Sequence, residues 1–329
     1  MKRKRPQAPS MHYVIRKKIR DLPFHVISLF FFLFVAGFFE ESIITIPGMR
    51  PTFVMLFTRM ASFISTAFIL KYRMIRPQHP SPFSIPAIMN SLATASQFEA
   101  LEYVSFAEFG ASKALRVLVV GLYGSKTTWE KLLWGVIAVI SAKFIFWYEF
   151  SMDTWVNPGK WGIIWLWIFI FSDSLTSITQ EELYKKFKVP SVQMMFYINI
   201  WLLILIVPQL FLEEKLIEET FYALSSYPEY IFQLSMLSLC SAAAQYFALC
   251  IIRQFGSLTY VVICMFKTLI TIAIVKFLQY GYWEWFEIAE LIVILLTVGY
   301  ILRKRKPWLQ QHSVPKAIEV DLMPLMSEN

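Results

Sequence analysis

Ten apolar runs, separated by short polar segments, are the dominant pattern along this chain. A helix needs roughly 20 mostly apolar residues to cross about 30 Å of hydrocarbon, and the runs are close to that length. The pattern predicts an all-α membrane protein with ten transmembrane helices. The predicted spans are 24–39, 53–70, 85–103, 109–123, 132–148, 161–178, 192–212, 231–252, 258–278 and 283–302.

The basic residues predict how these spans are oriented. Of the 31 Lys and Arg residues, 22 lie in segments assigned to the cytosol, 3 lie on the opposite side and 6 lie within the spans. This asymmetry follows the positive-inside rule. It predicts that the tails, residues 1–23 and 303–329, are both cytosolic.

Composition agrees with a membrane protein and gives no sign of an enzyme. Hydrophobic residues make up 57% of the chain and charged residues 16%, against about 25% charged in soluble domains. The net charge of +8 comes mostly from the tails and short loops, so nucleic-acid binding is not expected. No zinc spacing, Walker loop, nucleophile elbow or dinucleotide fingerprint occurs. We therefore expect no catalytic residues, metal or cofactor.

A short internal repeat divides the spans into two sets of five. Residues 96–101 (SQFEAL) resemble residues 244–249 (AQYFAL) at an offset of 148, and Phe-Gly follows each copy. Because the copies lie five spans apart, the second would enter the membrane in the opposite direction. The repeat predicts two inverted five-helix units, residues 24–150 and 151–302. Such repeats are typical of secondary transporters, whose substrates bind near the bilayer midplane.

Charged residues inside the spans are the first candidates for a site. A charge at a helix centre costs roughly 2.5–3.5 kcal/mol on insertion scales, so it usually faces water or a partner. Lys113 and Arg116 share one face of the fourth span, and Lys267 lies in the ninth. Three converging cations suit a polyanion such as a phosphate or sulfate ester. The structural alternative is pairing with acidic residues, of which the candidates are Glu99, Glu102, Glu108 and Asp173.

Polar residues elsewhere in the spans leave similar alternatives open. Asp173 could bind substrate or organise helix packing, and Arg59 could pair with Glu40 or Glu41. In the seventh span, Tyr197 and Asn199 could stack on and hydrogen-bond a nucleobase. Tyr and Asn also make helix–helix contacts in lipid.

Several of these runs resemble a known family. Residues 97–106 (QFEALEYVSF) resemble the third-span signature of adenosine 3′-phospho 5′-phosphosulfate transporters, in the nucleotide-sugar transporter family of the drug/metabolite transporter superfamily. Residues 173–177 (DSLTS) and 191–196 (SVQMMF), with Asn199, resemble that family's sixth- and seventh-helix motifs. The resemblance covers about residues 24–302.

The resemblance implies a ten-helix antiporter of the Golgi membrane, with the endoplasmic reticulum as the alternative. It implies import of the activated sulfate donor for sulfation, in exchange for adenosine 3′,5′-bisphosphate. Tyr197 and Asn199 would contact the base, and Lys267 the phosphates. The full predicted substrate site is Lys113, Arg116, Lys267, Tyr197, Asn199, Gln97, Glu99, Asp173 and Gln245. We expect a lipid bilayer to surround the chain. Whether the chain forms a homodimer is left open.

Departures from the family pattern leave the substrate open. Glu40 replaces a Gln, Lys267 stands where an Arg is more usual, and Val119 replaces a proline. The alternatives are a transporter of UDP-galactose or UDP-N-acetylglucosamine and a membrane scaffold that no longer transports. The run at residues 97–101 favours the sulfate donor, whereas the buried cations argue against an idle scaffold.

Overall fold

The computed structural model describes residues 11–44, 51–73, 79–104, 109, 112–124, 129, 133, 136, 160–212, 225 and 229–280, and within them all regular structure is helical. Short 3₁₀ turns at Ser81–Phe83 and Lys113–Leu115 precede two of the α-helices. The α-helices with defined bounds are α1 Met11–Ile44, α2 Pro51–Arg73, α3 Ser84–Leu101, α4 Arg116–Gly124, α5 Lys160–Phe187, α6 Ser191–Leu212, α7 Glu229–Phe255 and α8 Ser257–Tyr280.

These helices coincide with predicted spans. Helices α1–α3 match the first three spans, α4 matches the second half of the fourth, and α5–α8 match the sixth to ninth. The fifth and tenth spans lie outside the described residues, apart from residues 133 and 136. Five described segments are long and apolar enough to cross a membrane: Leu22–Glu40, Thr52–Lys71, Trp161–Phe187, Ser191–Pro208 and Tyr230–Phe255. The prediction of a helical membrane protein is confirmed, while ten spans remain a prediction.

Helix α1 shows what surrounds the bundle. Phe24, Ile27, Phe31, Phe34 and Phe38 recur every three or four residues along it and are 60–71% exposed. A soluble protein would bury such an apolar stripe against its core. On a helix of this length and composition, the stripe is a surface for lipid.

The helices pack in pairs, of which α1–α7 and α3–α5 are antiparallel. Helix α1 lies along α7, with Ser42 Oγ donating to Gln233 Oε1 at 3.0 Å near one end and His25 Nε2 lying 3.3 Å from Gln254 Nε2 near the other. Helix α3 lies along α5. Helix α2 packs against α6, and α4 packs against α8.

Gly162 allows α3 and α5 to approach closely. A Cβ added at Gly162 would lie 2.7 Å from Cβ of Tyr103, which is closer than van der Waals contact allows. At the other end of the same pair, the rings of Phe83 and Phe187 are 6.0 Å apart. The pair is therefore in contact along its whole length.

Tight turns join α5 to α6 and α7 to α8. Lys188 ends α5 with φ of 53°, and its N–H donates to the Tyr184 carbonyl at 3.1 Å. Gly256 alone separates α7 from α8 and has φ of 89°, a conformation that favours glycine. Its N–H donates to the Ile252 carbonyl at 2.9 Å. Each turn thus satisfies one carbonyl in the last turn of the helix that it ends.

Candidate functional site

Arg116 lies where three helices meet in the interior of the bundle. It is the first residue of α4 and only 6% exposed. Its Nη1 lies 2.7 Å from Oδ2 of Asp173 on α5, and its Cζ lies 5.8 Å from the ring centroid of Tyr260 on α8. An ion pair and a cation–π contact thus compensate the buried guanidinium. Arg116 and Asp173 were each predicted either to bind substrate or to have a structural role, and the structure shows them paired with each other.

Lys113 lies beside this pair, and Lys267 lies near Lys113. Lys113 precedes α4, and its Nζ is 4.5 Å from the ring centroid of Phe109. It interacts electrostatically with Arg116, Asp173 and Glu40. Lys267 of α8 interacts electrostatically with Lys113 and with Glu40. The structure therefore brings Lys113, Arg116 and Lys267 into one electrostatic cluster.

Two carboxylates reduce the charge of this cluster. Asp173 is paired with Arg116, and Glu40 of α1 interacts with both lysines. With all five groups ionised, the cluster carries one net positive charge. Glu40 also accepts a hydrogen bond from Gln97 Nε2 of α3 at 3.2 Å. Gln97 thereby orients a carboxylate next to both lysines.

A second polar contact joins α6 and α7. Asn199 is fully buried, and its Nδ2 donates to Gln245 Oε1 at 3.3 Å and to the Met195 carbonyl at 2.8 Å. Its Oδ1 has no hydrogen-bond partner among the residues that the structure describes. A buried acceptor without a partner is costly, so Asn199 has acceptor capacity left for a ligand.

Tyr197 and Glu99, two further predicted site residues, differ from each other in burial. Tyr197 is 7% exposed and stacks on Phe83, with ring centroids 4.9 Å apart and planes at 23°. One face of the Tyr197 ring thus makes a contact between helices, which is one of the two roles predicted for this residue. Glu99 is exposed on α3. The roles predicted for both residues in substrate binding remain predictions.

Of the two partners predicted for Arg59, Glu40 is not paired with it in the structure. Glu40 contacts Gln97 instead, and no ion pair joins Arg59 to a side chain that the structure describes. The carboxylate of Glu40 also interacts electrostatically with the two lysines. The side chain of Glu41 lies outside the described residues.

Tyr260 contacts Arg116 but is not among the predicted site residues, although the sequence contains a signal for it. Tyr260 precedes Lys267 by seven residues, which is two helical turns, so both lie on nearly one face of α8. It precedes Cys264 by four residues on the same face. The position of Lys267 could therefore have identified Tyr260 as a neighbour of the charged cluster.

Lipid-facing helices around a charged and polar interior define a polytopic membrane protein of the carrier type. A model of the UAA transporter family matches residues 22–301. The chain belongs to this family of membrane transporters.

Individual relatives agree with the family. The chain is 30% identical over 252 residues to adenosine 3′-phospho 5′-phosphosulfate transporter 1 of Homo sapiens, covering 72% of this chain and 57% of that protein. It is 25% identical over 235 residues to the protein of that name in Drosophila melanogaster, covering 69% and 50%. It is 25% identical over 277 residues to UDP-galactose/UDP-glucose transporter 5 of Arabidopsis thaliana, covering 78% and 80%. The resemblance to nucleotide-sugar transporters is thus confirmed, although the chain spans little more than half the length of the first two relatives.

Proposed function

We propose that this chain is an alternating-access antiporter that carries adenosine 3′-phospho 5′-phosphosulfate from the cytosol into the Golgi lumen. Adenosine 3′,5′-bisphosphate returns in exchange. The observation that carries the proposal is the convergence of Lys113, Arg116 and Lys267 inside the bundle. The substrate has a 3′-phosphate and a phosphosulfate, so it presents two anionic groups to a cluster of cations. The names of the human and fly relatives support this substrate.

Each predicted residue has a role in this proposal, and that of Asp173 is to pair with Arg116. Lys113 and Lys267 hold the two anionic groups, and Arg116 supplies further donors. The free acceptor of Asn199 receives the amino group of adenine, and Gln245 holds Asn199 in place. Tyr197 and Phe83, whose rings stack, form the aromatic side of the base site. Gln97 orients Glu40, whereas Glu99 borders the path of the substrate.

The proposed architecture is ten helices in two inverted units, residues 24–150 and 151–302, with cytosolic tails at 1–23 and 303–329. The helix pairs support it. If the two units are exchanged, α5 takes the place of α1 and α3 takes the place of α7. The pair α1–α7 then becomes the pair α5–α3, and both pairs occur in the structure. The same exchange swaps α2 with α6 and α4 with α8, so it leaves the pairs α2–α6 and α4–α8 unchanged. Both of these pairs also occur. A twofold relation between the units predicts this set of contacts.

The charge of the cluster favours a second candidate, a UDP-sugar. Asp173 already neutralises Arg116, and Glu40 lies near both lysines, so the net positive charge is small. A UDP-sugar carries its charge on one diphosphate and needs fewer cations than the sulfate donor. The Arabidopsis relative, named for UDP-galactose and UDP-glucose, supports this candidate.

Counterflow into liposomes separates the two substrates. Liposomes that contain the full chain are preloaded with adenosine 3′,5′-bisphosphate, and the uptake of labelled sulfate donor, UDP-galactose, UDP-N-acetylglucosamine and GDP-mannose is compared. We expect uptake of the sulfate donor alone. A second set, preloaded with UMP, tests the alternative, and uptake of only a UDP-sugar in that set would overturn the sulfate-donor assignment.

A further inference from the structure

Two described contacts fasten α4 to α5. The first is the ion pair of Arg116 with Asp173, and in the second the hydroxyl of Tyr123 donates to the carboxylate of Glu182. On α4 the two contacts are seven residues apart, which is about 10 Å along the axis at 1.5 Å per residue. Helix α4 belongs to the first proposed unit and α5 to the second. The contacts therefore join the parts that alternating access must move.

The ion pair engages Nη1 of Arg116, and the Tyr260 ring lies beside the same guanidinium. Asp173 is held through Nη1 at 2.7 Å, while the buried Nε has no hydrogen-bond partner among the described residues. A guanidinium has five N–H donors and can bind an anion with two parallel hydrogen bonds. The side chain of Asp173 keeps 25% of its surface exposed, against 7% for Arg116. The acid is thus the more accessible partner.

We propose that Asp173 is a built-in counter-ion of Arg116, that the transported anion displaces it, and that this displacement releases α4 from α5. The proposal rests on the proposed function and adds a step that couples binding to movement. In the empty carrier, Asp173 compensates a buried cation that would otherwise be costly. A bound phosphate provides the same compensation with more hydrogen bonds, since Lys113 lies beside Arg116.

After this displacement, the hydrogen bond of Tyr123 with Glu182 is the one of the two contacts that remains, and it is weak. Tyr123 and Glu182 are both exposed, so water competes for their hydrogen bond. Helix α8 stays with α5, because Glu181 of α5 accepts hydrogen bonds from Ser257 at the start of α8. Anion binding therefore loosens the contact of α4 with α5, while the packing of α4 against α8 remains. An empty carrier re-forms the ion pair and stays fastened, which makes exchange of one anion for another obligatory.

Cross-linking at the end of this interface tests the proposal. The full chain carries Tyr123→Cys and Glu182→Cys, with Cys240, Cys250 and Cys264 replaced by Ala, and a short bifunctional thiol reagent joins the new pair. These substitutions remove the weak contact and leave the ion pair as the remaining polar contact, beside the apolar packing of Val119 on the cluster that includes Phe169 and Ile170. Adenosine 3′,5′-bisphosphate and UDP-galactose serve as probes. We expect a saturating nucleotide to lower the cross-linking rate about tenfold, within the usual range of coupling between sites.

Variants of Asp173 separate displacement from a merely structural role. D173N is expected to cross-link slowly without nucleotide and to show no further response, whereas D173E keeps the parental rate and response. The double variant R116Q/D173N leaves no unpaired buried charge and is expected to behave like D173N. Glu102→Gln, an exposed acid at the end of α3, is the control and keeps the parental behaviour.

The outcomes distinguish this proposal from the proposed function. If UDP-galactose alone lowers the parental rate, the displacement mechanism holds and the sulfate-donor assignment falls. If D173N cross-links at the parental rate and still responds to a nucleotide, the counter-ion mechanism is wrong while transport stands. If liposomes exchange a nucleotide but no nucleotide changes the cross-linking rate of the parental protein, the counter-ion proposal is overturned as well.

Discussion

The carboxylate of Glu181 caps the helix that begins at Ser257. Its Oε2 accepts the Ser257 backbone N–H at 2.7 Å and the Ser257 hydroxyl at 2.5 Å, although the two residues are 76 positions apart. Its Oε1 lies 2.6 Å from Nζ of Lys185. A carboxylate at a helix N-terminus satisfies free N–H groups and interacts favourably with the helix dipole. Glu181 thus sets the position of α8, which carries Tyr260 and Lys267.

Substitution of this cap is expected to lower stability. Glu181→Ala removes the acceptor of two hydrogen bonds and should lower the free energy of unfolding by about 1–3 kcal/mol, the cost of leaving a buried partner unsatisfied. Lys185→Ala removes only a half-exposed pair and should cost about 0.3–0.5 kcal/mol. Thermal unfolding of the purified chain in detergent measures both. Equal melting temperatures for the two variants would contradict the capping role.

Gly256 is expected to resist substitution because of its backbone. With φ of 89°, Gly256→Ala is strained, and the added Cβ would lie 3.3 Å from Oε2 of Glu181. The left-handed conformation alone should cost about 1–2 kcal/mol. The control is Gly37→Ala, since a Cβ at Gly37 meets no atom within 4 Å. That helical substitution should instead raise stability by about 0.5–1 kcal/mol. Unfolding curves that rank the two variants in the opposite order would contradict the assignment of strain to Gly256.

Gly162 tests the contact of α3 with α5. Gly162→Ala places a Cβ 2.7 Å from Cβ of Tyr103, so the helices must separate. Such overpacking should cost about 1–3 kcal/mol. Adding Tyr103→Gly removes the clashing atom, and a double-mutant cycle in thermal unfolding should therefore show partial recovery. Strict additivity of the two losses would indicate that the helices do not meet at this point.

Glu40 is expected to limit the affinity for highly charged substrates. Glu40→Gln removes a carboxylate that interacts with Lys113 and Lys267, and it should lower the KM for the more anionic donor by about tenfold, the effect of ~1.4 kcal/mol. The gain should shrink at high salt, because dissolved ions screen the attraction between the cluster and the approaching anion. Glu102→Gln is the matched control for loss of one charge. An unchanged KM in E40Q would remove Glu40 from the charged cluster.

The helices and the charged cluster were predictable because the underlying costs are large. Crossing lipid requires long apolar runs, so most spans could be predicted from length and composition. A buried cation is expensive, so Lys113, Arg116 and Lys267 stood out from the rest of the chain. Both signals are local in the sequence.

The partners of these residues could not be predicted in the same way. Arg116 had several candidate acids, and only the packing of α4 against α5 places Asp173 within 2.7 Å. The stacking of Tyr197 on Phe83 depends on a short 3₁₀ turn before α3. Glu181 lies in a predicted cytosolic loop by sequence, and its contact with Ser257 requires α5 to continue to Phe187. Helix length and tertiary packing decide these contacts.

The most direct test of a cationic nucleotide site is exchange by Lys267→Ala in liposomes. Lys267 interacts with Lys113 and Glu40 in the interior of the bundle. Counterflow of the labelled sulfate donor against adenosine 3′,5′-bisphosphate is measured for the variant and for Lys186→Ala, which replaces an exposed lysine at the end of α5. We predict that K267A abolishes exchange at an unchanged level of protein in the membrane, while K186A exchanges normally. Normal exchange by K267A would show that the converging cations do not hold the substrate.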